Sequence, residues 1–175
     1  MHQILSLIES RRMESGKTFL NQFAPCGCFT VFKEQEAVFV KEFKYWFLIL
    51  DISQSFLGRC LLILKNHKTD EVELTNEEAL EKHKAYKIWR EAVRKAFNPD
   101  KINQAQLGNE EHVHKGHLHW HFIPRYRRPI SFTGQEFQYD TTETQKVIFT
   151  TIDKRAIYSL DILVKIKGEL QKYLK

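Results

Sequence analysis

His117-Leu118-His119-Trp120-His121-Phe122-Ile123-Pro124-Arg125 alternates histidine with apolar residues, and period two is the strand period. The alternation predicts three imidazoles on one face of a strand and Leu118, Trp120 and Phe122 on the other. The apolar face anchors such a strand in a core. Three ionisable rings on the opposite face make a costly surface unless something anionic or metallic lies against them.

Two chemistries use such a row, and an incidental histidine-rich strand is the bland alternative. One is metal binding, because neutral imidazole is a common ligand. Residues four apart on a strand are separated by roughly 13 Å. Zinc holds nitrogen at about 2.1 Å, so one ion cannot easily take both His117 and His121. A His-x-His pair with ligands from elsewhere stays open. The other chemistry is nucleophilic catalysis, with the middle imidazole attacking phosphorus while its neighbours orient it and bind phosphoryl oxygens. Catalysis uses all three rings and is the preferred reading.

Working outward, the chain reads as α+β. Residues 4–23 have a helical pattern, and short strands are expected near Phe29–Lys33, Ala37–Glu42, Tyr45–Asp51 and Arg59–Lys65. Ser53 to Gly58 is a connecting loop. Thr75-Asn76-Glu77-Glu78 is a capping box opening a helix with Tyr86, Trp89, Val93, Ala96 and Phe97 at spacings near 3.6. That aromatic stripe reads as core, and Asn98-Pro99-Asp100 ends the helix. Ile102–Leu107 and His117–Ile123 follow as two strands that short connections make antiparallel. Pro129–Gly134 leaves the sheet, and Gln135–Thr150 adds irregular or edge structure. A last helix runs over about 153–172, with Ile157, Leu160, Val164 and Leu170 as its apolar stripe and a lysine-rich end that suits the helix dipole.

At 175 residues the chain suits one domain, 1–175, able to bury a core. Hydrophobic content of 42% with 28% charged residues is ordinary for a globular protein. No apolar run approaches the roughly 20 residues of a membrane span. Arg11, Arg12 and Lys17 follow an apolar start, the wrong order for a secretory signal, so a cytoplasmic location is expected. Three cysteines form no even framework, so reduced thiols are expected. The net charge of +5 is modest and acidic residues are interspersed, so attraction to polyphosphate explains it as well as nucleic acid, which is disfavoured as a partner. Lys115, Arg125, Arg127 and Arg128 flank the histidine strand and either attract a polyphosphate tail or form a solvated cluster.

The run His117 to Arg125 resembles the histidine triad (HIT) pattern, His-apolar-His-apolar-His-apolar-apolar followed by Pro-Arg. Trp46-Phe47-Leu48-Ile49-Leu50-Asp51-Ile52 is similar to the family strand ending beside the nucleotide ribose. Gly58-Arg59-Cys60-Leu61-Leu62-Ile63-Leu64-Lys65-Asn66-His67 is similar to the next strand and its Lys-x-His ending. Asn103 and Gly108-Asn109 resemble the polar residues before the triad, so the likeness spans about residues 26–128. The resemblance implies a five-stranded antiparallel sheet, here with extra N- and C-terminal helices, paired across a twofold axis as a homodimer. It implies a nucleotidyl hydrolase or transferase acting on a nucleoside phosphate, with bacterial-type diadenosine polyphosphate hydrolase-like proteins as the nearest kind. His119 would be the nucleophile, His117 would hold its tautomer through backbone carbonyl contacts, and His121 would meet phosphate oxygens. Asp51 would bind ribose hydroxyls, Ile52 would line the base pocket, and Asn103 would help hold the phosphate.

This sequence departs from the family at two places. Arg59 stands where a histidine is common and is either recruited to the substrate or turned away. Asn109 precedes His117 by eight residues rather than about four, across an apparent insertion at Glu110–Gly116. His112 and His114 are its alternative polar groups, or solvated loop residues. Some family members carry a structural zinc on Cys-x-x-Cys and two histidines. Here Cys26-Gly27-Cys28 is one residue short, with His67 a conceivable third ligand, so the pair reads as packed rather than metal-bound. No metal ligand and no cofactor are assigned, magnesium arriving with the polyphosphate substrate. A nucleotide-binding module without turnover and a zinc-dependent hydrolase are the competing classes.

Overall fold

The computed structural model describes residue 26 and residues 38–107, 116–140 and 158–175. The expected helix over 4–23 and strand near 29–33 lie outside these residues. So do Cys28, Asn109, His112, His114 and Lys115.

Two strands are apolar at every position. Trp46–Leu50 (β2) and Cys60–Leu64 (β3) are buried throughout, as continuous apolar runs require when both faces of a sheet are covered. With Phe39–Glu42 (β1), Lys101–Ala105 (β4) and His119–Arg125 (β5) they form an antiparallel sheet in the order β1-β2-β3-β5-β4. The histidine strand therefore lies inside the sheet, beside β3, and β4 takes the edge.

One face carries Trp46, Leu48, Leu50, Cys60, Leu62, Leu64 and Phe122, packed in the main core with helix α1, Asn76–Phe97. The capping box forms as read: Glu78 N–H donates to Thr75 Oγ1 at 3.2 Å and Thr75 N–H to Glu78 Oε2 at 2.8 Å. Trp89, Val93 and Phe97 are buried, and Trp89 meets Phe122 with ring centroids 5.0 Å apart. Asn98, at a left-handed φ of 48°, ends α1 just before Pro99. Burial pushes the Cys60 thiol well above its ordinary range, which suits an inert core residue.

The opposite face carries Phe47, Ile49, Leu61 and Ile63, a second cluster against which Cys26 and Phe39 pack. Directly opposed residues on neighbouring strands share a face. His119 opposes Ile63, and His121 opposes Leu61 and Ala105. The second cluster thus continues laterally into the histidine row.

Residues 130–137 leave the five-stranded sheet, as expected, and form a β-hairpin of their own, Ile130–Phe132 (β6) with Gln135–Phe137 (β7). Its two-residue turn places Thr133 at φ 51° and Gly134 at 80°. A β-branched residue is rare there, which hid the turn from sequence patterning. The last helix (α2) spans Leu160–Gln171, starting later than 153; Tyr158 and Ser159 precede it outside the helix, and 153–157 lie outside the described residues. Its inner face is Ile162, Leu163, Ile166 and Leu170, while Leu160 and Val164 are exposed. Ordering the apolar positions three and four apart leaves two stripes possible, and contact with the core selects between them. Among the described residues no helix is long and apolar enough to cross a membrane.

Candidate active site

Residues Asp51 to Arg59 bridge β2 and β3 in a tight loop closed by one buried glutamine. Gln54 Nε2 donates to the Asp51 and Arg59 carbonyls at 2.5 and 2.7 Å, and its Oε1 accepts from Gly58 N–H at 2.9 Å. Gly58 has φ +84°, and a Cβ there would lie 2.8 Å from the Phe97 ring and 3.0 Å from Val93. Only glycine serves at such a position, since it must be both left-handed and flush against α1. The loop therefore delivers Arg59 to the site with little freedom. The sequence predicts the connecting loop over 53–58 but not the role of Gln54, because a lone glutamine gives no signal of burial.

Asp51 is buried. Its Oδ1 accepts the Ser53 N–H at 2.9 Å, and its Oδ2 lies 2.8 Å from Arg59 Nε. That Oδ2–Nε contact is an ion pair by distance, though neither atom makes an aligned hydrogen bond. The carboxylate expected at the ribose is also the partner of a buried arginine. Its neighbour Ile52 is 38% exposed. Arg59 Nη2 reaches His121 Nδ1 at 3.1 Å. Arg59 is thus turned neither to solvent nor away from the histidines.

The three triad histidines have different partners. β5 begins at His119, two residues after His117. His119 and His121 remain neighbours, ring centroids 5.0 Å apart. His117 meets His67, ring centroids again 5.0 Å apart. Regular pairing stops short of His117, yet its ring stays on the face of His119 and His121: it meets Cys26, which packs on the Phe47, Ile49, Leu61 and Ile63 cluster, while Leu118 lies in the main core with Phe122. What His117 gives His119 is its backbone. His119 Nδ1 lies 2.9 Å from the His117 carbonyl. A carbonyl only accepts, so Nδ1 carries the proton and Nε2 of the neutral ring carries the lone pair.

The same logic orients His117. Its Nε2 lies 2.6 Å from the Leu64 carbonyl, which directs the Nδ1 lone pair of the neutral ring away from it. That Nδ1 is 3.2 Å from His67 Nδ1 and 3.6 Å from Cys26 Sγ, and the three donor atoms all lie within 4.8 Å of one another. A tetrahedral zinc, with bonds of about 2.0–2.3 Å, sets nitrogen and sulfur ligands roughly 3.3–3.6 Å apart. A ligand histidine whose far nitrogen is tied to a backbone carbonyl is also the arrangement zinc sites use. The donor set fits the metal. The sequence pairs Cys26 with Cys28 and offers His67 as a conceivable third ligand; the structure brings Cys26, His67 and His117 together as candidate ligands. The contact between residues 26 and 117 spans 91 positions and no spacing rule reaches it.

Asn103 stands on the exposed edge strand β4 opposite Ile123, on the same face as His119 and His121. Arg125 belongs to the fold: it is buried, paired with Asp140 at 2.6 Å and stacked 4.5 Å over Phe56. Arg127 and Arg128 are exposed.

The site is an antiparallel sheet that presents neighbouring imidazoles, one of them held by the carbonyl two residues before it. Comparison with known proteins agrees: the family described as HIT domain matches residues 32–128, more than half of the chain. The chain belongs to the HIT domain family. A search of curated proteins finds no match. Among solved structures it is similar to a HIT-like protein involved in cell-cycle regulation from Bartonella henselae, at 25% identity over 78% of this chain and 86% of that one, TM-score 0.54. It is also similar to a hypothetical histidine triad nucleotide-binding protein from Sulfolobus tokodaii, at 21% identity over 85% and 91%, TM-score 0.59. A third, a histidine triad protein from Marinobacter aquaeolei, is 20% identical over 78% and 87%, TM-score 0.58.

Proposed function

We propose that this protein is a nucleotidyl hydrolase or transferase acting at the α-phosphorus of a nucleoside polyphosphate, a dinucleoside polyphosphate or related adenylyl compound of the diadenosine polyphosphate kind. The observation that carries the reading is the 2.9 Å contact between His119 Nδ1 and the His117 carbonyl, which leaves Nε2 of a half-buried ring as the nucleophile.

His119 Nε2 attacks phosphorus, the bond from phosphorus to the bridging oxygen breaks, and the leaving group takes that electron pair. The imidazole becomes a nucleotidyl-imidazolium whose Nδ1–H faces the His117 carbonyl, a dipole already aimed at the developing charge. Water, or another acceptor hydroxyl, then attacks phosphorus, the P–N bond breaks, and the nucleoside monophosphate leaves with the neutral ring restored. His121 hydrogen-bonds the phosphoryl oxygens. Ile52 lines the base pocket, Asp51 binds the ribose hydroxyls, and Asn103 approaches the phosphates from β4. Asn109 is assigned to the phosphate end as well. Magnesium enters with the polyphosphate. The protomer pairs with a second copy as a homodimer, and its partner is the nucleotide rather than nucleic acid or a membrane.

Cys26, His67 and His117 would hold a structural zinc, which when bound supplies a fixed ligand geometry and no reaction step. His117 then serves the metal with its ring and His119 with its carbonyl.

The test is a dinucleoside polyphosphate labelled at the α-phosphorus and quenched without acid. Label is expected on one histidine, and His119→Gly is expected to lose it while still binding nucleotide. Binding by the wild-type protein with no trapped label, or turnover retained by His119→Gly, would overturn the assignment in favour of a binding module or a different nucleophile.

A further inference from the structure

We propose that Arg59 is a positioning residue that fixes the third triad histidine as a neutral Nε2–H donor and never itself touches the phosphate. The inference about the ring stands on geometry alone; its consequence for turnover rests on the reading above.

A guanidinium has five donors and no acceptor, and it stays protonated in proteins. The 3.1 Å contact between Arg59 Nη2 and His121 Nδ1 can therefore run in one direction only: arginine donates, and Nδ1 accepts. The single ring proton of His121 is then on Nε2. A second proton on Nδ1 would be driven against the guanidinium. His119 carries the opposite tautomer, because its Nδ1 faces an acceptor, the His117 carbonyl. Adjacent imidazoles on one strand are thus set to opposite polarity by what each Nδ1 meets. One ring offers a lone pair from Nε2 and the other offers a proton from Nε2, and phosphoryl transfer needs one of each.

Arg59 is held for this purpose at both ends. Its carbonyl accepts from Asp51 N–H at 3.0 Å and from Gln54 Nε2 at 2.7 Å. Its side chain is 5% exposed, with Nε 2.8 Å from the Asp51 carboxylate. Asp51 balances the buried charge, which no apolar environment would otherwise tolerate. An arginine placed to grip a polyphosphate would need its fork open to solvent. Here one arm is spent on His121 and the Nε side lies against Asp51.

Two measurements on the full chain test the proposal. Ring ¹⁵N shifts of the ligand-free protein are expected to report His121 with Nδ1 unprotonated and Nε2 protonated. In Arg59→Met, and in Asp51→Asn/Arg59→Met, which removes the stranded carboxylate charge should the single variant fold poorly, that signature is expected to give way to exchange between tautomers. With a dinucleoside polyphosphate as substrate, kcat of Arg59→Met is expected to fall roughly 10²-fold, the cost of one misdirected donor, with KM within about twofold, and the double variant is read by its ring shifts. Added guanidinium ion is expected to restore part of kcat in Arg59→Gly. A raised KM with unchanged kcat would make Arg59 a direct phosphate ligand and overturn the proposal. An unchanged His121 signature in the variants would overturn it too. Absence of any turnover in the wild-type protein would count against the proposed function alone, and the ring shifts would still decide the case for Arg59.

Discussion

Gly58→Ala is expected to unsettle the fold and the site together. Two costs add. At φ +84° an L-residue occupies the left-handed region, which costs about 1–2 kcal/mol. The new Cβ would stand 2.8 Å from Phe97 Cδ2, 3.0 Å from Val93 Cγ2 and 3.1 Å from Phe97 Cε2. Both neighbours are buried on α1, so neither swings aside, and overpacking of this kind costs about 1–3 kcal/mol. The sum is roughly 2–5 kcal/mol, and at about 2–4 °C per kcal/mol for a chain of this size Tm should fall by roughly 4–20 °C. Because Gly58 N–H is held by Gln54 and Arg59 is the next residue, relief of the clash should also displace the guanidinium from His121. Scanning calorimetry gives Tm, and the His121 ring shifts report the displacement. A Tm within 2 °C of wild type would refute the reasoning, because it would mean that the loop and α1 are not in contact as described. A large loss of Tm with an unaltered His121 would keep the packing claim and refute the coupling to the site.

Two further outcomes are expected. Glu78 is buried; burial by itself would raise its pKa, but the hydrogen bonds from Lys68 and the Thr75 N–H outweigh that and hold it below the ordinary 4.5. A carboxyl with a depressed folded pKa stabilises fully above its unfolded value, and the contribution disappears as pH falls through the folded one. Wild-type stability in urea should therefore decline below about pH 4.5, whereas Glu78→Gln, weaker at pH 7 by about 1–3 kcal/mol, should show a flatter acid limb; parallel limbs would contradict the assignment. Zinc should bind at one ion per chain by elemental analysis and raise Tm with concentration, as a ligand of the native state must. Cys26→Ser or His67→Ala should abolish both effects, and a Tm indifferent to zinc and chelator would remove the proposed metal.

Much of this protein is written in short-range pattern. The alternation at 117–125 declares a strand, the uninterrupted apolar runs at 46–50 and 60–64 declare strands buried on both faces, and Thr75 with Glu78 declares where a helix starts. Each of these signals is carried by residues within one turn or a few rungs of each other. The family likewise follows from a contiguous motif, as does the choice of His119 as the central ring. Pattern failed where geometry at a single residue departed from its type's preference, as at Thr133, or where two apolar stripes competed, as on α2.

Which atom each polar group faces was decided only by tertiary structure. Arg59 meets His121 across 62 positions, His67 meets His117 across 50, and Cys26 meets His117 across 91. Alternation says which side of a strand an imidazole leaves from, but its tautomer depends on whether a donor or an acceptor waits at Nδ1. That neighbour is brought by another strand or loop. Sequence therefore names the central ring, and the packing of distant segments decides which groups its neighbours face, because tautomers answer to the local field and not to the order of residues along the chain.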